Sequence, residues 1–150
     1  MKLLIIGLIV LAIGAAIFFY ITSFSMSPKE IEQLRIDADS GNAQAQLKLG
    51  RTYFSGQGVA KDYNQALIYF KKAAIQGNAE AQFNLGSMYY MGYGVVPVDF
   101  GTAYKWVTLS LKNGYDAGKV ILPLLQNGLT QDQKIAGDKW AAEWKQGNSE

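Results

Sequence analysis

The amino-acid sequence predicts an all-α fold, a right-handed α-solenoid of paired helices that follows a single N-terminal transmembrane helix. Two observations support this prediction. An uncharged apolar run extends from Leu3 to Ile21, and about 20 apolar residues are enough for a helix to cross a bilayer. Farther along the chain, a block of about 36 residues occurs twice, and a period in this range is typical of helical solenoids.

Residues 1–25 are predicted to form a transmembrane anchor. A helix over the apolar run would satisfy its own backbone hydrogen bonds inside lipid, and Tyr20 near its far end suits the membrane interface. A cleaved signal peptide is the alternative, with Ser23-Phe24-Ser25 as a poor small-x-small cleavage site. Because Lys2 and the terminal amine lie on the short side, the N-terminus is expected to face the cytoplasm. The rest of the chain is then expected on the periplasmic side of a bacterial inner membrane, or free in the periplasm after cleavage.

Residues 26–150 are predicted to form one helical-repeat domain. Its units are expected at about 41–76 and 77–113, followed by a degenerate capping pair at 114–147. Many residues of the first unit return 36 positions later in the second unit, and one extra residue near Pro97 then shifts the spacing to 37. The residues that return at the first spacing are Gly41, Ala43, Ala45, Gln46, Leu49, Gly50, Tyr53, Gly56, Gly58 and Val59.

Each unit is predicted to contain two helices joined by a Gly-x-Gly turn. Ala45, Leu49 and Tyr53 recur at i, i+4 and i+8, which places them on one stripe of the first helix. Gly58 and Gly94 end the two turns. They are expected to have positive φ angles, because glycine adopts such angles at low cost.

The second helix of each unit is expected to begin at an aspartate and to end at a glycine. Asp62 is predicted to be an N-cap, with Gln65 three residues later completing a capping box. An apolar stripe that includes Phe70 follows. Gly77 and Gly114 are expected to stop the second helices as the C′ residues.

The flanking segments are predicted to carry further helices. Ser27-Pro28-Lys29-Glu30 has the pattern of a capping box with proline at the first helical position, so a helix is expected from here to about Asp39. Helices are also expected from Asp116 to Gln126 and from Gln131 to Gln146, with Thr130 as the cap of the last one. The apolar stripe of that last helix is expected to consist of Ala136, Trp140 and Trp144.

The two central units resemble Sel1-like repeats, which are relatives of the tetratricopeptide repeat. The resemblance rests on Ala-x-Ala, Leu-Gly-x-x-Tyr, Gly-x-Gly-Val, and an aspartate with alanine four residues later. It covers residues 41–112 well and the flanks loosely. The second unit departs from the family pattern at Val96-Pro97-Val98, where a lysine usually precedes the aspartate, and at Gly101 inside a helix. The resemblance implies a protein-interaction module and no reaction.

Composition narrows the classes of function. The chain has no histidine and no cysteine, which removes the commonest general base and nearly every zinc site. Neither Gly-x-Gly turn continues as a phosphate-binding loop, and no familiar serine-nucleophile motif occurs. With a net charge of +2 and no basic stripe, nucleic acid is not expected as a partner. The protein is therefore predicted to be no enzyme and to use no metal, cofactor or small-molecule substrate, with a hydrolase as the remote alternative.

The candidate contact surface lies on the side of the first helices where the two units differ. Positions that vary while the core repeats are free to carry specificity, and solenoid curvature usually places such helices on the concave side. Aromatic residues near the second Gly-x-Gly turn are further candidates, because aromatics are frequent at interface centres. Local packing is the alternative for Tyr93, and a merely solvated face is the alternative for the helices. The residues predicted to bind a partner are Gln44, Lys48, Arg51, Glu80, Asn84, Ser87, Tyr90 and Tyr93.

The sequence therefore predicts a membrane-anchored periplasmic adaptor or scaffold that binds another protein through a helical-repeat surface. A sharper alternative is an immunity protein. Small anchored periplasmic proteins with Sel1-like repeats resemble proteins that neutralise lipid-attacking toxins by direct binding. Either role requires a protein partner, and either role places the N-terminal helix in the membrane.

Overall fold

The computed structural model describes residues 26–146, so the predicted anchor at residues 1–25 lies outside the described part, as do residues 147–150. Between these limits the regular secondary structure consists of α-helices joined by turns, which confirms the predicted all-α class. The handedness of the solenoid stays a prediction. No helix in this range combines the length and apolar character that a membrane crossing requires. The helices are α1 (Pro28–Asp39), α2 (Ala43–Ser55), α3 (Tyr63–Ile75), α4 (Ala79–Met91), α5 (Phe100–Lys112), α6 (Gly118–Asn127) and α7 (Gln131–Glu143).

Helix α1 begins at the predicted capping box. The backbone N–H of Glu30 donates to the Ser27 hydroxyl, and the backbone N–H of Ser27 donates to the Glu30 carboxylate at 2.7 Å. The Ser27 hydroxyl also donates to the Glu30 carboxylate at 2.7 Å, and this bond, together with the one from the Ser27 backbone N–H, holds the pKa of the Glu30 carboxyl below its ordinary value. Three buried side chains, Ile31, Leu34 and Ala38, then pack α1 against α2.

The first helices α2 and α4 begin at asparagines that the sequence reading did not identify as caps. The Asn42 side chain accepts a hydrogen bond from the N–H of Ala45 at 3.0 Å, and Asn78 accepts one from Ala81 at 2.9 Å. Asparagine is among the best N-cap residues because its carbonyl satisfies a free N–H of the first turn. The caps recur at the repeat spacing, so both first helices start in the same way.

Two glycines inside the first helices allow each helix pair to pack closely. A Cβ atom on Gly50 would lie 2.6 Å from the Phe70 ring of α3, and one on Gly86 would lie 2.8 Å from Val107 of α5. No side chain fits at such distances without movement of the facing helix. These glycines therefore position α2 on α3 and α4 on α5, the two helix pairs of the repeats.

The turn inside each unit has the backbone angles that the sequence predicts. The φ angle is +78° at Gly58 and +83° at Gly94. At both positions a Cβ atom would also meet backbone, 2.6 Å from the Met26 oxygen and 3.2 Å from the Tyr63 oxygen respectively. Glycine is therefore required at these turns for its φ angle and for its size.

The predicted aspartate caps of the second helices are confirmed, but the capping box at Asp62 is only half present. The Asp62 carboxylate accepts hydrogen bonds from the backbone N–H groups of Asn64 and Gln65 at 2.9 and 3.0 Å. The Gln65 side chain is not needed in return, because the N–H of Asp62 already donates to the Tyr53 carbonyl at 3.0 Å. At the equivalent Asp99, a hydrogen bond from a backbone N–H lowers the pKa of the carboxyl.

A buried glutamine links each repeat to the helix that precedes it. The Gln46 amide donates to the Ala38 carbonyl in α1 at 2.9 Å, and the Gln82 amide donates to the Ala74 carbonyl in α3 at 3.0 Å. Each glutamine oxygen accepts from an amide at the end of its own unit, Gln76 at 2.7 Å and Asn113 at 2.8 Å. Both glutamines are buried, and such fully satisfied groups fix the register between packed helices.

The last two helices do not form a pair like those of the repeats. Both α6 and α7 pack mainly against α5 rather than against each other. The sequence offers a physical reason: the extra residue near Pro97 sets the later spacing to 37, and Pro123 then stands where the second unit has Gly86. A proline ring at the point of closest helix contact blocks the approach that glycine permits.

Helix α7 starts as the sequence predicts, and Trp140 and Trp144 of its predicted apolar stripe pack against the core, but Ala136 does not. Thr130 caps it, with the Gln133 side chain completing the capping box. The helix ends at Glu143 rather than at Gln146, and the predicted stripe residue Ala136 is exposed. The buried positions are Gly137 and Ala141, because a Cβ atom on Gly137 would lie 2.6 Å from the Tyr104 ring of α5.

Three tryptophans join α7 to the core. The rings of Trp140 and Trp144 lie 5.2 and 5.1 Å from the buried Trp106 of α5. The Lys112 ammonium donates to the carbonyl of Ala141 at 2.9 Å, and it also reaches the next carbonyl. A cation at the carbonyl end of a helix is favourable, so these contacts anchor the C-terminal end of α7 on α5.

Candidate partner-binding groove

A groove of about 460 Å³ lies between the first helices of the two repeats. Helix α2 forms one wall and helix α4 the other, so residues from both units are required to build it. Its lining residues are Arg51, Phe54, Ser55, Gln57, Phe70, Asn84, Ser87, Met88, Met91 and Tyr93.

The floor of this groove is apolar. Phe70 and Met88 are buried core residues, and the Phe54 ring lies 6.4 Å from the Phe70 ring. Met91 stands at the edge with 54% of its surface exposed. Methionine packs against partners of varied shape because its side chain is unbranched and polarizable. The floor is therefore suited to an apolar side chain of a partner.

The rim of the groove is polar. The Arg51 guanidinium forms an ion pair with the Glu80 carboxylate at 3.0 Å, and the Arg51 side chain is 63% exposed. Exposed ion pairs contribute little stability, so either partner of the pair is available for an incoming group. Asn84 and Gln57 add amide groups that can donate and accept hydrogen bonds.

Tyr93 forms the end of the groove through local packing. Its ring stacks on Tyr63 at 4.7 Å and meets Phe54 edge-on at 5.6 Å. Its backbone N–H donates to the Met88 carbonyl at 3.0 Å. The local packing that the sequence left as an alternative is thus present, and the half-buried ring still lines the groove.

A second, smaller groove of about 320 Å³ lies next to the first, on the side of Met26. Arg51 and Gln57 line both grooves, so the two adjoin. The predicted residues Gln44 and Lys48 lie here, beside Met26 at the start of the described chain. Gln44 is held in place by a 3.2 Å hydrogen bond from the side chain of Asn78.

The structure thus brings together six of the eight predicted residues along two adjoining grooves, and Glu80 joins them through its ion pair. Tyr90 lies apart. Its ring packs against Phe100 at 5.7 Å and against the cluster between α5 and α6. Sequence reasoning missed Phe54, which fills the groove floor; its position one residue after the repeated Tyr53 was the available signal.

The lining residues offer apolar surface and hydrogen-bonding groups. The residues that line the main groove include no carboxylate. Across residues 26–146 no group of three or more histidine, cysteine, aspartate or glutamate side chains is placed to hold a metal ion.

The paired helices define a helical-repeat protein with a groove between its two repeats. Residues 43–78 and 79–115 each match the Sel1 repeat family. The chain is therefore a Sel1 repeat protein, as the resemblance in its sequence predicted. Sel1 repeat proteins generally bind protein partners. The matched segments begin two residues after the units predicted at 41–76 and 77–113.

Similar proteins come from bacteria. The secretory immunoglobulin A-binding protein EsiB of Escherichia coli O6:H1 (strain CFT073) is 49% identical over 43 residues, which are 29% of this chain and 9% of that protein. A protective antigen of uropathogenic Escherichia coli strains, which displays an SLR fold, has a TM-score of 0.70 at 34% identity, covering 75% of this chain and 24% of that one.

A Sel1 repeat protein of Oxalobacter formigenes has a similar fold, with a TM-score of 0.62 at 38% identity. This match covers 64% of the present chain and 28% of the other. The chain thus spans less than a third of the length of these similar proteins. The likeness concerns the stacked helix pairs that carry the groove.

Proposed function

We propose that the protein is an adaptor that holds a segment of a protein partner in the groove between α2 and α4. The observation that carries this proposal is the convergence of Arg51, Asn84, Ser87 and Tyr93 on one apolar-floored groove. These residues come from positions where the repeats differ, whereas core positions such as Leu49 and its equivalent Leu85 are the same. The variable positions therefore carry recognition and the repeated positions carry the fold.

The chemistry of the groove indicates what kind of segment would bind. An apolar side chain would cover Phe54 and Met91, which removes apolar surface from water. An acidic side chain next to it would compete with Glu80 for the Arg51 guanidinium, because arginine binds carboxylates through parallel hydrogen bonds. The amides of Asn84 and Gln57 would pair with the backbone of the segment.

The proposed location is the periplasmic face of a bacterial inner membrane. The support is the uncharged run from Leu3 to Ile21 and the position of Met26, which lines the second groove. Residues 22–25 between them reach at most about 14 Å when fully extended. A partner in the groove would therefore lie close to the membrane, which suits a membrane protein or a protein that acts on lipid. The immunity role stays a prediction within this proposal.

A bulky substitution in the groove tests the binding site. Ser87→Arg places a long side chain between the walls and leaves the floor residues unchanged. Ala142→Arg, at an exposed position of α7, adds the same bulk and charge on another surface and is the matched control. Full-length tagged protein of each kind would be used to capture partners from solubilised membranes, and retained proteins would be quantified by mass spectrometry.

We expect the wild type and Ala142→Arg to retain at least one common protein. Ser87→Arg should retain at least about tenfold less of it, because the added side chain obstructs the groove at a cost of about 1.4 kcal/mol or more in binding. A single partner of stoichiometric amount would favour the immunity role over a scaffold. Equal retention by all three proteins, with the helical circular dichroism unchanged, would show that the groove is not the binding site.

A further inference from the structure

A short apolar segment in the turn of the second repeat is exposed. Val95 is 77% exposed, Val98 is 57% exposed and Phe100 is 38% exposed. Pro97 between them is exposed as well. We call residues 95–100, which contain all four, the apolar segment. It presents its apolar side chains to the surroundings instead of packing them into the core.

Helix packing does not explain the apolar character of this segment. Val98 and Lys61 each precede the aspartate that caps the second helix of its unit. A Cβ atom on Gly92 would lie 2.9 Å from the Val98 side chain. In the first unit, a Cβ atom on Gly56 would lie 3.3 Å from the Lys61 side chain. The two residues therefore occupy the same place in their units, and the fold accepts a charged residue there.

The apolar segment lies at the end of the domain where the described chain begins. The oxygen of Met26 is 2.6 Å from the place of a Cβ atom on Gly58, in the turn of the first unit. A Cβ atom on Gly94, in the turn of the second unit, would lie 3.2 Å from the oxygen of Tyr63 at the start of α3. The two turns are thus neighbours, and the chain enters the domain beside them.

The chain that leads to this end carries the uncharged apolar run from Leu3 to Ile21. Residues 22–25, which separate that run from Met26, reach at most about 14 Å when fully extended. With the run in a bilayer, this end of the domain lies next to the membrane surface. We propose that residues 95–100 insert into the surface of the same bilayer. This insertion rests on the proposed membrane location of the protein and not on what the groove binds.

The side chains next to the segment suit the headgroup region of a bilayer. The rings of Tyr93 and Tyr63 stack at 4.7 Å, and the Lys61 ammonium lies 5.8 Å from the centre of the Tyr63 ring. Tyrosine is frequent at membrane interfaces, because its ring is apolar and its hydroxyl is polar. A lysine at the same level can approach anionic headgroups. Apolar side chains flanked by tyrosine and lysine therefore favour a lipid surface as the occupant.

Few charges oppose the insertion. Between residues 81 and 104 the sequence has one charged residue, Asp99. Its carboxylate accepts hydrogen bonds from the backbone N–H of Thr102 at 2.9 Å and from the Thr102 hydroxyl at 2.8 Å. The charge is thus stabilised at the start of α5, while transfer of the valine and phenylalanine side chains out of water is favourable.

Insertion would fix the orientation of the domain on the membrane. The N-terminal run and the apolar segment would be two points of attachment, and they belong to different parts of the chain. Tyr93, two residues before the segment, lines the end of the groove. One end of the groove would therefore open at the bilayer surface, where a partner segment that leaves the membrane can enter it.

Fluorescence quenching by lipid tests the insertion, since the chain has no cysteine of its own. Full-length Val95→Cys protein would carry an environment-sensitive fluorophore. It would be reconstituted into vesicles of phosphatidylcholine and phosphatidylglycerol, with and without nitroxide-labelled lipid. Val120→Cys is the matched control, because Val120 is 75% exposed and lies near the start of α6, at the opposite end of the domain. We expect at least about threefold more quenching at position 95, because interfacial segments lie about 5–10 Å deep in the headgroup and acyl boundary.

A charged substitution tests the apolar side chains themselves. In the labelled Val95→Cys protein, Val98→Glu should reduce the quenching at least about threefold, because anionic lipid repels an acidic side chain. The fold should tolerate this change, since Lys61 is charged at the equivalent place, and circular dichroism would verify it. Unchanged quenching in the folded double variant would contradict the proposal.

The remaining outcomes separate the insertion from the membrane location. Equal quenching at positions 95 and 120, or none at either, in protein that floats with the vesicles would overturn the insertion alone. Protein that does not float with them would overturn the location as well. Val95→Glu tests for a protein contact. Loss of the partner captured in detergent by this variant, but not by Val120→Glu, would assign the segment to that partner and would also overturn the proposal.

Discussion

The two central repeats and the third unit have helices of similar length, yet the repeats form closed helix pairs and the third unit does not. In the repeats, Gly50 and Gly86 let the second helix approach until its side chains fill the space of a missing Cβ. In the third unit Pro123 stands at that position and α7 packs elsewhere. The glycine at this position is therefore present in both closed helix pairs and absent from the third unit.

The polar links show the same contrast. Gln46 and Gln82 are buried and bind the helix before their unit. The equivalent position of the third unit is Lys119, which is exposed and pairs with Asp116. A lysine is costly to bury without a partner, so the buried glutamine that links a repeat to the preceding helix occurs in the first two units and not in the third.

The largest effect in this comparison is expected from Gly86→Ala. The added Cβ would lie 2.8 Å from Val107 and 3.1 Å from the Ala103 oxygen, so α5 must shift. We expect a loss of about 2–3 kcal/mol in the free energy of unfolding, measured with urea and circular dichroism. Gly101→Ala is the matched control, since a Cβ there meets only the end of the Asp99 side chain at 3.3 Å.

The control should be neutral or more stable by up to about 1 kcal/mol, because alanine is the better helix former. Equal losses in the two variants would mean that Gly86 contributes through helix propensity and not through helix contact. The role given to Pro123 in the third unit would then have no basis.

A smaller effect is expected from Gln82→Leu. It removes the 3.0 Å hydrogen bond to the Ala74 carbonyl, which still accepts from the Gly77 N–H, and the 2.8 Å hydrogen bond from the Asn113 amide. Loss of these two bonds should lower the free energy of unfolding by about 1–2 kcal/mol. Lys119→Leu, at the equivalent position of the third unit, should change it by less than about 0.5 kcal/mol. Comparable changes in the free energy of unfolding at both positions, in the same urea titration, would show that the buried glutamine is not a feature that distinguishes the second unit from the third.

Many helix ends and turns could be predicted from the sequence, because the residues that determine them are close together in the chain. Caps such as Ser27 and Asp62, and turns such as Gly58, depend on a few neighbouring residues. The packing of α7 could not be predicted in this way. A helical stripe indicates which side is apolar but not which helix covers it, and this is why Ala136 was assigned to the core while Gly137 occupies it.

The candidate groove was predictable in part for a similar reason. Comparison of the two units identified the variable positions, and Arg51, Asn84 and Ser87 do lie together. The floor needs Phe54 of one unit and Met88 of the next to meet across α2 and α4. That juxtaposition comes from the stacking of repeats, which a comparison of equivalent positions does not describe.

The most direct test of the whole account is amide hydrogen exchange of the full-length protein with and without the captured partner. The groove edges at residues 55–61 and 91–98 belong to the central repeats, and residues 118–127 form the exposed helix of the third unit. We predict at least about tenfold slower exchange at the two groove edges, about 1.4 kcal/mol of added protection, and no change at 118–127. Protection confined to residues 118–146 would contradict the account and place the partner on the third unit.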